Sequence, residues 1–168
     1  MRKMFVLSAC LLIASCAAAQ SDYITQQAQL ACGEPRVKFD VQRAPGHSLL
    51  TPTKDMAVVY IVEPSETPTY FGTFTFGGLT NRIGLDGKWI GAVVQGSYLA
   101  FPVPVGIHRL CARGQSWFMG TVNLVSLTQL NARADTSYYF TPTLSLLDPD
   151  EAQLLLARSV PAASTTQQ

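Results

Sequence analysis

The sequence predicts an all-β fold: an antiparallel β-sandwich of about seven or eight strands with a short C-terminal helix. Three observations carry that prediction. Asp86-Gly87 stands between two runs that alternate apolar and polar residues, and both turn positions tolerate positive φ, as a tight hairpin requires. Val37-Lys38-Phe39-Asp40-Val41 alternates apolar with charged residues, the period of a half-buried strand. Ala57 to Val62 is apolar throughout and rich in β-branched residues, the pattern of a strand covered on both faces.

With 168 residues the chain has room for one domain. The first part, 1–19, reads as a signal peptide to be set aside from the fold. Arg2 and Lys3 form a positive start, and Met4 to Ala14 is an apolar run shorter than the roughly 20 residues a membrane span needs. Ile13-Ala14-Ser15-Cys16 matches a bacterial lipobox, in which Cys16 takes the lipid and becomes the mature N-terminus. Ala17-Ala18-Ala19 before Gln20 also fits ordinary cleavage, without lipid. The lipidated reading is preferred, and both lead out of the cytoplasm. With Arg2 and Lys3 set aside, the remaining basic residues nearly balance the 11 acidic ones. No basic block exists to grip a phosphate backbone, which excludes nucleic acid as an expected partner.

Residues 20–31 read as a polar leader or short helix. The domain proper is expected over 32–158, opening with the turn Cys32-Gly33-Glu34-Pro35. The first strand is Val37 to Val41. A loop marked by Pro45-Gly46 and Pro52 leads to the strand Met56 to Val62. Tyr70 to Phe76 is the next, with Phe74 and Phe76 on one face and Thr73 and Thr75 on the other. The arms of the Asp86-Gly87 hairpin run from Leu79 to Leu85 and from Lys88 to Val94. Ile83 and Leu85 share one face, Arg82 and Gly84 the opposite one.

After the Gly96-Ser97 turn comes Tyr98 to Val103, expected to end at Pro102 and Pro104. Ile107 to Arg113 returns, with His108, Leu110 and Ala112 on one face and Ile107, Arg109, Cys111 and Arg113 on the other. Gly114 to Gly120 is a loop. Thr121 to Ala134 is a strand with a bulge near Leu124-Val125, and Ser137 to Thr143 closes the set. Asp148-Pro149-Asp150-Glu151 then carries helix-start chemistry: Asp as N-cap, Pro at the first helical position, Glu three residues after the cap. The helix spans Ala152 to Arg158, and residues 159–168 are small, polar and expected to be disordered.

Cys32 and Cys111 are the cysteines left for the folded part. In an oxidising compartment they are expected to pair, the alternative being two separately buried thiols. Alternation turns Cys111 away from the core that Leu110 and Ala112 face. A bond would therefore tie the leader to the outer face of that strand.

The order of these pieces resembles a family of small bacterial exported proteins catalogued only as a domain of unknown function. The matching residues are Cys32-Gly33 before Val37-Lys38-Phe39, the strand Ala57 to Val62, and Gly84-Leu85-Asp86-Gly87-Lys88-Trp89-Ile90-Gly91. His108-Arg109-Leu110-Cys111-Ala112, Ser137-Tyr138-Tyr139-Phe140 and Leu146 to Glu151 complete them. The Asp-Gly-Lys hairpin and the Gly-x-His-x-Leu strand are also similar to PEGA-type surface β-domains. Two turns depart from the pattern. Pro104-Val105-Gly106 is one residue longer than expected, and Asp135-Thr136 stands where a glycine is expected. The resemblance implies a sandwich-like exported domain and no known catalytic residues.

Motifs for chemistry are sparse. Gly114-Gln115-Ser116-Trp117-Phe118 lacks the second glycine of a nucleophile elbow. His47 lies in a Pro-Gly loop with nothing to pair it with an acid, and His108 opens a strand and reads as a polar edge residue. Asp148, Asp150 and Glu151 fit helix capping better than calcium, and no zinc spacing or phosphate loop occurs, so no metal or cofactor is expected. The aromatic group Tyr70, Phe71, Phe74, Phe76 and Trp89 is the candidate binding surface for a glycan or protein partner, set against ordinary sheet packing. The expected function is a non-catalytic envelope domain that binds or scaffolds another envelope component. The alternatives are a glycan- or peptidoglycan-binding module and a hydrolase with a loop-assembled site.

Overall fold

Two sheets face each other across one apolar core, with the leader over the outside of one and a helix over the outside of the other. A computed structural model describes residues 26–46, 49–65, 80–115 and 125–167. Residues 26–31 are helical (α1). The strands are β1 Lys38–Arg43, β2 Met56–Glu63, β3 Thr80–Leu85, β4 Lys88–Val93, β5 Ser97–Pro104, β6 Gly106–Gln115, β7 Val125–Ala132, β8 Ser137–Phe140 and β9 Val160–Gln167; α2 is Pro149–Ala157. The first sheet runs β1-β9-β5-β2-β8 and the second β4-β3-β6-β7. The predicted sandwich with its C-terminal helix is therefore present. Its ladders are antiparallel except β2–β8 and β5–β9, which are parallel.

Alternation in sequence becomes alternation in burial. In β2, Ala57, Val59 and Ile61 enter the core between the sheets, where Ile83, Phe101, Val103 and Leu110 meet them. Val58, Tyr60 and Val62 point the other way and pack with Tyr98 under Leu156 of α2. This double coverage is why β2 is apolar at every position. The Asp86-Gly87 turn has φ of 49° and 82°, both positive as in a type I′ turn. Asp135, where a glycine was expected, takes the left-handed conformation itself at φ 54°, which Asp tolerates better than most residues. Asp148 caps α2 by accepting from the Asp150 N–H at 2.9 Å, which is the capping role expected of it.

Three expectations need correction. Pro102 does not end β5; the strand runs through to Pro104. Val105 N–H donates to Asp55 O, which sets the phase of the β2–β5 ladder. In that phase Pro102 and Pro104 turn their nitrogens to the opposite edge. There β9 reaches only Ser97 and Tyr98, so no ladder bond is lost. β8 stops at Phe140 and not at Thr143. Thr141 N–H donates to Ser145 O at 2.9 Å and Leu144 takes φ 60°, reversing the chain.

The largest correction concerns the C-terminus. The expected disordered tail, 159–168, is not seen over its described part: Val160–Gln167 form β9. This strand pairs with all of β1, from Lys38↔Gln167 to Arg43↔Ala162, and joins β1 to β5. Its sequence has no alternating apolar face because most of its hold on the fold is the backbone ladder. Only Ala162 packs on the core. Residues 1–25, which include the signal segment and Cys16, lie outside the described residues, as do Tyr70 to Phe76, the loop at Trp117 and the site of the Leu124 bulge.

Candidate functional site

The outer face of the second sheet carries a cluster of specific contacts. Cys32 is bonded to Cys111 with Cα atoms 5.2 Å apart, across a sequence separation of 79. Leu110 and Ala112 face the core while Cys111 sits with Cys32, Ala28, Ala31, Trp89 and Leu127 on the other side. The bond therefore ties the leader to the outside of β6, as parity in the strand requires. Around it the leader backbone is held at several points. Gly87 N–H donates to Ala31 O at 3.2 Å. Trp89 Nε1 donates to Glu34 O at 2.7 Å, and Arg82 Nη1 donates to Pro35 O and Val37 O. Gly84 is needed where the leader crosses, because a Cβ there would stand 2.9 Å from Ala31 O.

Trp89 thus has a defined environment. Its N–H is used by the leader, and the Arg82 guanidinium lies 4.6 Å from its ring centroid in a cation–π contact. Tyr70, Phe71, Phe74 and Phe76, the other members of the candidate aromatic surface, lie outside the described residues. His47 lies outside them too.

His108 is paired with an acid that the sequence did not associate with it. Its Nδ1 is 2.7 Å from Asp86 Oδ2 and its Nε2 is 2.9 Å from Pro104 O. The hairpin turn brings Asp86 there, and Asp86 Oδ1 also accepts from Arg109 N–H at 2.8 Å, while Arg109 O accepts from Asp86 N–H. Burial works against the Asp86 charge, but the His108 and Arg109 hydrogen bonds and charges outweigh it and hold the carboxyl below its usual range. Both ring nitrogens face acceptors, so the imidazole is a clamp between the β3–β4 turn and the end of β5.

Glu63, which the sequence reading did not single out, is 9% exposed. Burial pushes its carboxyl up to about 7, and a hydrogen bond from Asn81 Nδ2 at 3.0 Å offsets only part of that. A carboxyl raised in the fold binds its proton more tightly folded than unfolded. Its stabilising effect is complete below the ordinary value of 4.5 and is lost as pH rises through about 7. The fold is expected to lose about 3 kcal/mol from this residue between pH 4.5 and pH 8. Glu63→Gln keeps an acceptor for Asn81 and removes the titration. Denaturant melts of the two proteins across that range check it: the variant curve should lack the wild type's decline, and parallel curves would refute the assignment.

An open cleft of about 470 Å³ lies between α1 and the β6–β7 pair, lined by Gln27, Ala31, Arg109, Leu110, Leu127, Thr128 and Gln129. Its size is that of a small-ligand or side-chain site, and its lining mixes apolar and hydrogen-bonding groups. Smaller clefts flank α2, one beside Glu151 and Arg158 and one beside the stacked pair Tyr60 and Tyr139. Among the described residues no helix is long and apolar enough to cross a membrane, and no cluster of His, Cys, Asp or Glu is arranged to hold a metal.

The Cys32–Cys111 pairing was legible from the cysteines left for the folded part, and its place on the outer face of β6 from strand parity. The Asp86–His108 clamp was not, because 22 residues separate its partners and only the β3–β6 register joins them. No family model matches the chain, and no curated protein or solved structure matches it either.

Proposed function

We propose that the chain is a non-catalytic domain of the bacterial cell envelope, exported and held by its N-terminal segment, that binds or scaffolds another envelope component. The observation that carries this reading is the Cys32–Cys111 bond, which persists in oxidising compartments and clamps the leader onto the sheet. An anchor through Cys16 is the matching arrangement, since the chain would then leave its tether at a fixed point. The non-catalytic part is supported by the fate of His108, whose ring nitrogens both serve the fold. The cleft between α1 and β6–β7 is the binding surface in this reading, with Arg109, Gln129 and Gln27 as its polar contacts. A glycan reading loses its one described aromatic, since Trp89 is engaged by the leader and by Arg82.

The test is crosslinking of the exported protein in intact envelopes, wild type beside Gln129→Arg. Gln129 is exposed on the cleft wall, so the variant should fold normally and lose the crosslinked partner. Equal capture by both proteins would remove the cleft from the proposal. Turnover of a generic ester, glycoside or peptide substrate that disappears in His108→Ala would overturn the non-catalytic reading.

A further inference from the structure

Arg82 and Arg113 stand directly opposite each other on β3 and β6, on the face beneath the leader. Like charges directly opposed on one sheet face repel, and a buried charge without a counter-charge is costlier still. Arg82 is 1% exposed. Its Nη1 is satisfied by the carbonyls of Pro35 and Val37 and its flat face by Trp89. Its remaining edge, Nε and Nη2, is buried with no hydrogen-bond partner, and so is Nε of Arg113. The ion pair seen among the described residues is His108–Asp86, so neither arginine has a carboxylate there.

Which nitrogens are left matters. Nε and Nη2 are the two parallel donors of an arginine's side-on fork, spaced to meet two oxygens of a carboxylate or phosphate. Pointing Nη1 at the leader leaves that fork free, with a second guanidinium beside it. We propose that Arg82 and Arg113 form an oxyanion-binding site under the leader, taking a carboxylate or phosphate across the Arg82 fork with Arg113 Nε as a further donor. The ligand approaches past Arg113, which is half-buried where Arg82 is enclosed. Burial, and after it the charge of Arg113, presses the Arg82 guanidinium down to about 10; an anion between the two relieves both effects. The site is separate from the α1 cleft and does not depend on the envelope reading.

The experiment titrates the mature, disulfide-bonded protein with inorganic phosphate, with acetate and with chloride, at matched ionic strength. Melting temperature and the ¹H–¹⁵N Nε resonances of arginine are followed together. The expected result is a saturable rise of several degrees with phosphate or acetate but not chloride, with the Arg82 and Arg113 Nε signals moving at the same midpoint. Whichever anion acts identifies the ligand chemistry. In Arg113→Gln the midpoint should weaken tenfold or more. No saturable shift with either anion, or the same shift in Arg113→Gln, overturns the site. Should Arg113→Gln fail to fold, the wild-type Nε titration decides alone: stationary signals at saturating phosphate and acetate refute the proposal.

Discussion

Breaking the Cys32–Cys111 bond is expected to lower stability by about 4 to 5 kcal/mol and the melting temperature by on the order of 15 °C, while the sandwich survives. The size follows from the sequence separation of 79, which makes the loop closed by the bond long, and from the freedom the unfolded chain regains without it. The survival follows from geometry. The apolar core between the sheets is built by residues such as Val59, Ile83, Phe101 and Leu110, on the side of β6 that Cys111 does not face. What fails is the leader. Without the bond it keeps the Glu34, Pro35 and Val37 carbonyl contacts, each worth about 1 kcal/mol, against the entropy of ordering the chain. Cys32→Ala with Cys111→Ala should therefore lose amide protection in residues 26–31 first, with β2 and β5 unchanged. A double variant that melts within about 2 °C of the wild type would show the bond to be incidental.

The second large effect is expected on removing everything after Arg158. Treated as a tail, this segment would be dispensable; as β9 it is the ladder partner of every residue in β1. Truncation leaves β1 without its ladder partner, held by side-chain bonds: Gln115 donates to Phe39 O at 2.8 Å and accepts from Phe39 N–H at 3.0 Å, and Arg43 Nη2 donates to Gln95 O. Phe39 is buried, and exposing it costs about 2 kcal/mol before the ladder bonds are considered. The loss of Ala44 N–H to Pro161 O and Val160 N–H to Gly96 O adds to it. A destabilisation on the order of 4 kcal/mol is expected, with β1 amides exchanging freely. Hydrogen exchange on the truncated chain reads both, and protected β1 amides at the full-length melting temperature would contradict the role given to β9.

What the sequence revealed and what it hid divide along one physical line. Strands that bury a face announce it by period: β2, the β3–β4 hairpin and β6 lie within a residue or two of their predicted places. The same parity that turned Leu110 and Ala112 inward turned Cys111 outward, so the disulfide's position was legible as well. β9 was not legible, because a strand held by backbone bonds needs no apolar face. Pro102 misled for a related reason: its missing N–H matters only where a neighbouring strand lies, and sequence does not say how far β9 extends. Arg82 was placed on the correct face, but alternation names a face and not what covers it. The enclosure of its guanidinium by Trp89 and the leader carbonyls arises from residues more distant in the chain, as does the burial that raises Glu63.

The most direct test of an exported domain with a disulfide-clamped leader is non-reducing peptide mapping by mass spectrometry, on protein taken from the cell envelope. One measurement reads the mature N-terminus and the cysteine pairing together. The predicted result is a chain beginning at a lipid-bearing Cys16, with the Cys32 and Cys111 peptides joined. A start at Gln20 without lipid would remove the anchor and keep export. Free thiols at both Cys32 and Cys111, or a chain still beginning at Met1, would contradict the exported, clamped domain itself.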